Sequence, residues 1–238
     1  MLEDIILIAA GLFSGLISGT VGFGGSLILL PLITSFSGIE VAVPMATVSQ
    51  LLSNIFRMGA GFKSIRWRQV GLFLIPAVPL TVIGAYGFIV VPKETMTRIL
   101  SLMLIIFALL EIYEKIQLPR SRWTMLVGGG ISGVINGLLC LSGPVSSAVF
   151  LTLGLAPVAY IATEAASATL MHVVQMVMYG EFDLLNIHVL RDGIYIGVAM
   201  SAGNFIAMKN IRKIKRKSFR KIVAAVMIAA SAWLFFSV

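Results

Sequence analysis

Residues 19–33, GTVGFGGSLILLPLI, place four glycines within seven residues of an otherwise hydrophobic segment. A helix that breaks inside lipid exposes backbone N–H and C=O groups that no water can satisfy. Such a break is tolerated only where it faces protein, an aqueous cavity or a ligand. The stretch therefore predicts a broken membrane helix whose break faces a ligand.

The composition indicates an integral membrane protein. Of 238 residues, 58% are hydrophobic and 12% are charged, and the mean hydropathy is +1.01. These values exceed what the surface of a soluble domain tolerates. Glu3 and Asp4 stand where a signal peptide would be basic, so we expect the first segment to be mature structure. Cys140 is the only cysteine, so neither an intrachain disulfide nor a cysteine metal cluster is available, and we expect no cofactor.

An internal repeat organises the chain. At an offset of 118, residues 11–25 and 129–143 share six identities. The identical pairs are Gly11/Gly129, Ser14/Ser132, Gly15/Gly133, Ile17/Ile135, Gly19/Gly137 and Gly25/Gly143. Small residues are common between membrane helices, so part of this match reflects shared packing chemistry. Three ordinary spans follow each copy at similar spacing, which favours a true repeat.

The basic residues predict the topology. Fifteen of the eighteen Lys and Arg residues lie in three clusters, 57–68, 115–122 and 209–221. If each glycine-broken segment enters the membrane and returns to the same side, all three clusters face one side. If each broken segment crosses once, the split becomes eight against ten. Because cytoplasmic loops are rich in Lys and Arg, the hairpin interpretation is favoured, and both termini are expected on the non-cytoplasmic side.

The predicted fold class is an all-α integral membrane protein with two inverted repeats. Each broken segment has about 32 apolar residues, which suits two half-length helices joined near mid-membrane. Each repeat then contains a re-entrant hairpin and three crossings, and this odd number inverts the second copy. The predicted repeat 1 is 1–118, with hairpin 5–36 and spans 41–60, 69–91 and 95–114; repeat 2 is 119–238, with hairpin 123–153 and spans 157–180, 187–208 and 217–237. Inverted repeats with broken helices are typical of secondary transporters.

The start of each returning helix is a candidate anion site. We expect Ser26 to cap the first of these helices and Pro144 to occupy the first helical position of the second. Each start presents unpaired N–H groups and the positive end of a helix dipole. Two such ends, approaching from opposite faces, would bind an anion without a full positive charge buried in lipid.

The glycine-rich segments resemble those of the sulfite exporter TauE/SafE family. The resemblance is carried by Gly15, Gly19, Gly22, Gly24, Gly25, Pro31, Gly133, Gly137, Gly143 and Pro144, and it covers essentially the whole chain with its two-repeat plan. It implies export of sulfite or organosulfonates, such as sulfoacetate or taurine-derived acids, across the bacterial inner membrane. The chain departs from the family pattern at Ser26, Cys140 and Ser142.

Polar residues on the spans that follow the hairpins complete the candidate site. The predicted substrate-binding residues are Gly22, Gly24, Gly25, Ser26, Gln50, Asn54, Asn136, Ser142, Gly143, His172 and Gln175. For Asn54 and His172, lining of the substrate path and interhelical hydrogen bonding are weighed equally. Gln50, Asn54 and Arg57 share one helix face. We expect Arg57 to lie near the cytoplasmic end and to snorkel.

Glu164 and the basic loop invite separate hypotheses. A carboxylate inside a span is protonated, paired or functional, and proton coupling is weighed against a structural bond to a neighbouring helix. The basic run 209–221 lies between apolar spans, so we expect it to contact anionic lipid headgroups rather than nucleic acid. The expected partners are thus a small anionic substrate and these lipids, with a homodimer among the open oligomeric states.

Two alternatives remain beside a transporter. Broken half-helices also line channels, so an anion channel is the nearer rival. Ser142 with His172 could also imitate an intramembrane serine hydrolase. The repeat argues against an enzyme, because Ser142 aligns with Gly24 and His172 with Asn54, as expected for a symmetric polar lining.

Overall fold

A computed structural model describes residues 2–113 and 118–209, together with residues 228 and 231. Within these ranges the chain forms nine α-helices and one 3-10 turn, Phe62–Ser64, and no strand. The helices are α1 Leu2–Val21, α2 Gly25–Ser37, α3 Ile39–Ala60, α4 Trp67–Val90, α5 Lys93–Tyr113, α6 Arg122–Leu139, α7 Gly143–Leu151, α8 Pro157–Glu181 and α9 Ile187–Lys209. Of the predicted span 217–237, only residues 228 and 231 are described, and residues 210–221 of the basic loop lie outside the described residues. The fold is all-α, as the sequence predicts.

The glycines of the opening stretch break the chain between α1 and α2. Gly22 and Gly24 have φ angles of 96° and 100°, a left-handed conformation that side chains with a Cβ rarely adopt. Gly24 is the N-cap of α2, and Ser26 lies inside its first turn without capping it. The prediction that Ser26 caps the helix is wrong, because the glycine conformation itself ends α1 and places the N-cap of α2 two residues earlier, at Gly24.

The second break folds α7 back along α6. Val149 of α7 lies against Gly128 of α6, so close that a Cβ on this glycine would collide with the valine side chain. Had the two helices continued in one direction, residues this far apart in sequence would lie about 30 Å apart. The second broken segment is therefore a helical hairpin.

Contacts along α3 and α9 give the direction of the first hairpin. Gly193 of α9 faces Val48 of α3, and Gly197 faces Leu52, so these two helices run parallel. Gly11 and Gly19 of α1 face Ile196 and Asn204 of α9, so α1 runs parallel to both. Gly25 of α2 lies beside Gln50 of α3, and α2 joins α3 directly at Gly38, so α2 runs back against them. The first broken segment is a hairpin as well.

The two arms of each hairpin differ in length. With 20 residues, α1 is about 30 Å long, whereas α2 has 13 residues and is about 20 Å long. The corresponding helices α6 and α7 have 18 and 9 residues. The prediction of two half-length arms is wrong for the first arm of each hairpin. The glycines at four-residue spacing let this arm pack along a neighbouring helix over its whole length. Helix α1 therefore continues until the first glycine with positive φ, and helix α6 continues until Cys140.

Equivalent helices of the two halves pack in equivalent ways. The first arm α1 packs on α9, and the first arm α6 packs on α4. The glycines of α6 approach the backbone of α4, where the contacts pair Gly129 with Phe73, Gly133 with Ala77 and Gly137 with Thr81. Close backbone approach through small residues is the usual mode of helix association in lipid.

At the centre, α3 and α8 cross in opposite directions. Gly61, at the end of α3, faces Val158 near the start of α8, and Arg57 faces Glu164 one turn further on. These two helices occupy the same place in the two predicted repeats. The division of the chain at residue 118 stays a prediction.

Apolar side chains cover the outside of the molecule, and its interior holds buried polar side chains within an apolar core. Ile75, Ile83 and Val198 are at least 60% exposed, whereas Asn136 and Gln175 are fully buried. Among the described helices, α3 and α4 meet both the length and the hydropathy needed to cross a membrane. This distribution suits a molecule whose outer surface faces lipid.

Candidate functional site

The two hairpin tips meet inside the molecule. A Cβ on Gly143, at the start of α7, would lie 3.1 Å from the Cβ of Phe23 and 3.8 Å from the backbone nitrogen of Gly24. The starts of α2 and α7 therefore lie side by side. The first helical N–H groups of each have no partner within their own helix.

A small buried cavity lies at this meeting point. Its volume is about 20 Å³, which is room for about one water molecule. The lining consists of Ser18, Phe23, Gly24, Gly25, Ser26, Gln50, Asn54, Arg57, Cys140, Ser142, Gly143, Glu164, Ala168 and His172. It thus combines both hairpins with the middle of α3 and α8.

Most of the residues predicted from the sequence reach this cavity. Those that line it are Gly24, Gly25, Ser26, Gln50, Asn54, Ser142, Gly143, His172 and the candidate coupling residue Glu164. Gly22 does not line it, but its carbonyl oxygen accepts a hydrogen bond from Arg57.

Asn136 and Gln175 lie beside the cavity in a hydrogen-bond network between α6 and α8. The amide of Asn136 donates to Oε1 of Gln175 at 3.2 Å, and Nε2 of Gln175 donates to the Asn136 carbonyl at 2.8 Å. The Tyr179 hydroxyl completes the network by donating to the Gly137 carbonyl at 3.1 Å. In this arrangement the two residues connect α6 to α8 by hydrogen bonds and do not face the cavity.

Arg57 is the central cation of the site. Its side chain is 3% exposed, and it donates to the carbonyl of Gly22 and to Oδ1 of Asn54. Its Nη1 lies 3.4 Å from Oε2 of Glu164. The prediction that Arg57 snorkels to the membrane surface is wrong, and so is the prediction of a site without a buried full positive charge. The carboxylate of α8 and the free carbonyl at the broken tip of α1 compensate the cost of burying the guanidinium.

Glu164 is paired rather than isolated. Its Oε1 accepts a hydrogen bond of 2.9 Å from the hydroxyl of Ser146 in α7, and its Oε2 faces Arg57. The Glu164 carboxylate therefore connects the second hairpin to Arg57, which in turn binds the tip of the first hairpin. Both hairpin tips are linked through one ion pair.

Three buried polar atoms of the lining have unused hydrogen-bonding capacity. Within the described residues, Nε2 of Gln50, Nε of Arg57 and Oε2 of Glu164 make no hydrogen bond. A buried donor without an acceptor costs about 1–3 kcal/mol. Two of these atoms are donors, Nε2 of Gln50 and Nε of the Arg57 guanidinium, and donors of this kind pair with oxyanions.

Sequence reasoning missed five lining residues. Ser18, Phe23, Cys140 and Ala168 carry no chemical signal of their own, although Phe23 and Cys140 belong to the glycine-rich turns. For Arg57 a signal was present, since it shares a helix face with Gln50 and Asn54. Its position near the end of the predicted span favours snorkelling instead.

His172, the histidine of the hydrolase hypothesis, contacts Cys140 and Gln175. Nδ1 of His172 lies 3.8 Å from Sγ of Cys140 and 3.4 Å from Oε1 of Gln175. This places the ring between the second hairpin turn and the network of Gln175. The geometry is that of a polar lining shared by α6 and α8.

Helical hairpins that meet around a buried polar cavity, inside an apolar shell, are typical of membrane transport proteins. The chain belongs to the sulfite exporter TauE/SafE family, whose sequence model matches residues 7–234. Searches of curated proteins and of solved structures gave no match. The family match covers α1 from residue 7 onward and all of α2 to α9, so the cavity lies within the matched part.

Proposed function

We propose that the protein is a secondary transporter that exports small sulfur-containing anions, either sulfite or organosulfonates such as sulfoacetate, across the bacterial inner membrane. The observation that carries this proposal is Arg57, a guanidinium buried where both hairpin tips meet. Planar guanidinium groups bind oxyanions through paired hydrogen bonds. Nε2 of Gln50 and the N–H groups at the starts of α2 and α7 supply further donors.

The small size of the cavity supports alternating access as the proposed mechanism. At about 20 Å³, it holds about one water molecule. A sulfonate needs more room, so the tips must separate to admit it from either side. The antiparallel crossing of α3 and α8 supports an inverted arrangement of the two halves, which is the arrangement that lets one half rock against the other.

Two basic segments support the proposed topology. Arg66 and Arg68 line the same pair of adjoining surface cavities as Arg120 and Arg122. Arg66 and Arg68 of the first cluster and Arg120 and Arg122 of the second thus lie at one end of the molecule. Because basic loops are retained in the cytoplasm, this end is proposed to be cytoplasmic, with both termini on the other side.

Glu164 is proposed to couple anion binding to a proton. The pair of Arg57 and Glu164 is neutral as it stands, and an anion that takes Glu164's place beside the guanidinium brings a net negative charge into a low-dielectric site. A proton on Glu164 restores neutrality. Anion and proton then move in the same direction, and the sum of their gradients sets the net flux.

Counterflow in proteoliposomes tests the proposed transport. Vesicles loaded with unlabelled sulfoacetate and diluted into labelled sulfoacetate are expected to accumulate label transiently and saturably. Sulfite, taurine, sulfate and thiosulfate added outside rank the substrates by competition. Unitary conductance without counterflow would contradict a carrier and establish the anion channel instead.

Replacement of Glu164 by glutamine separates binding from coupling. The variant is expected to bind sulfonate at least as tightly as the wild type, because Arg57 no longer has an anionic partner. The pH change inside the vesicles that accompanies sulfonate flux is expected to disappear. A pH-sensitive dye trapped in the vesicles provides the measurement.

The matched control is Glu181→Gln, an exposed carboxylate at the end of the same helix. It is expected to leave both binding and the pH change unaltered. A Glu164→Gln variant that transports sulfonate with the wild-type proton flux would eliminate the coupling role.

A further inference from the structure

A pocket rich in arginine lies at the end of the molecule where α4 and α6 begin. Two adjoining cavities of about 600 and 430 Å³ share Gln69, Arg120 and Leu153 in their linings. Arg68 and Arg122 line the larger cavity and Arg66 the smaller. The pocket is distinct from the buried cavity around Arg57, with which it shares no lining residue.

Among the described residues, nothing compensates the charge of this pocket. No Asp or Glu lines either cavity, and none of these four arginines forms an ion pair within the described part of the chain. Four guanidinium groups around one opening repel each other unless an anion lies between them. The pocket therefore suits a ligand that carries at least one phosphate-like group.

The lower part of the same pocket is apolar. Leu72, Ile75 and Met125 line the larger cavity below the arginines, and the side chain of Ile75 is 67% exposed on the outer face. From Arg68 to Ile75 the helix rises by about 10 Å. A ligand with a charged head and an apolar tail matches this vertical separation.

Tryptophans place the pocket at the membrane surface. Trp67 and Trp123, next in sequence to Arg66 and Arg122, are 49% and 72% exposed. Exposed tryptophans are enriched at the depth of the lipid headgroups. The arginines then lie at headgroup level, and the apolar residues lie at the level of the acyl chains.

We propose that this pocket binds one anionic phospholipid, with its phosphate among Arg66, Arg68, Arg120 and Arg122 and an acyl chain along Leu72 and Ile75. Basic pockets between membrane helices are a recurrent site for anionic lipid headgroups. Here the lipid bridges α4 and α6, which belong to the two different halves of the chain and pack closely together. The backbone N–H of Arg66 also donates to Thr163, the residue before Glu164, at 3.2 Å. Lipid binding therefore stabilises the contact between the two halves of the chain close to α8, the helix that carries Glu164.

Native mass spectrometry of the full-length protein, purified in a neutral detergent, tests the proposal. Phosphatidylglycerol is expected to remain bound as one tightly held molecule per chain and to raise the melting temperature by several degrees. Phosphatidylcholine and inorganic phosphate at equal concentration are expected to do neither. Stabilisation by inorganic phosphate alone would show a free-anion site and overturn the lipid proposal.

Paired variants locate the lipid. Arg68→Gln/Arg120→Gln/Arg122→Gln is expected to lower retained phosphatidylglycerol at least about tenfold. The control Lys93→Gln/Arg98→Gln/Arg191→Gln removes the same charge from residues that line neither cavity and is expected to retain the lipid. Equal loss in both variants, or no loss in the first, would overturn the proposal. If the pocket triple variant does not fold, the single variant Arg120→Gln decides in the same way, because Arg120 precedes α6 and is exposed.

Discussion

An Arg57→Gln variant is expected to lose sulfonate binding. The guanidinium is buried, lines the cavity at both hairpin tips and is the only cation in that lining. Removal of one partner from a buried charged contact costs about 3 kcal/mol or more, which corresponds to a Kd about 100-fold weaker. Isothermal titration with sulfoacetate and counterflow in vesicles measure this loss.

The same change is expected to destabilise the protein, because it leaves Glu164 buried without a cation. The double variant Arg57→Gln/Glu164→Gln removes both charges and is expected to recover most of the stability without recovering binding. Arg98→Gln, at an exposed position of α5, is the matched control and keeps both properties. An Arg57→Gln variant that folds and binds sulfoacetate with wild-type affinity would refute the assigned anion site.

A Gly137→Leu variant is expected to destabilise the protein strongly. A Cβ at this position would collide with the carbonyl of Thr81, and it would lie 2.6 Å from the nitrogen of Ala85 and 2.8 Å from Cα of Gly84. These are backbone atoms of α4, so the clash is relieved only by separating α4 from α6. We expect a loss of about 3 kcal/mol or more, measured as melting temperature and as the monodisperse fraction in size-exclusion chromatography.

Gly59→Ala is the matched control for this helix-packing prediction. No atom lies within 4 Å of a Cβ at Gly59, which is an exposed position of α3. Alanine is favoured over glycine in a helix by about 1 kcal/mol, so this variant is expected to be as stable as the wild type or slightly more so. A Gly137→Leu protein with unchanged melting temperature would contradict the packing of α6 on α4.

The sequence predicts the all-α class and the place where each hairpin turns. Both depend on local chemistry: the apolar composition selects the medium, and the glycines of 19–25 supply the positive φ angles that end α1. The unequal arms could not be predicted in this way. Their lengths depend on which helix the glycines face, and that neighbour lies nearly two hundred residues away in the sequence for α1.

The burial of Arg57 at the site could not be predicted from the sequence. An arginine three residues before the end of a helix usually extends to the membrane surface. Whether it does so depends on its surroundings, and here the carboxylate of Glu164 and the carbonyl of Gly22 come from distant segments. Asn136 and Gln175 show the converse case, since their polarity predicts a role at the site although they bond mainly to each other and to α6.

The central claim is that a sulfur oxyanion binds between the hairpin tips, and Cys140 allows a direct test in the unmodified protein. It is the only cysteine of the chain, and it lines the cavity beside Arg57. The measurement is the rate at which methyl methanethiosulfonate, a small uncharged reagent, labels Cys140 at increasing sulfoacetate concentration. The account predicts that saturating sulfoacetate slows labelling at least tenfold in the wild type and not in Arg57→Gln. A labelling rate that is the same with and without the anion would contradict it.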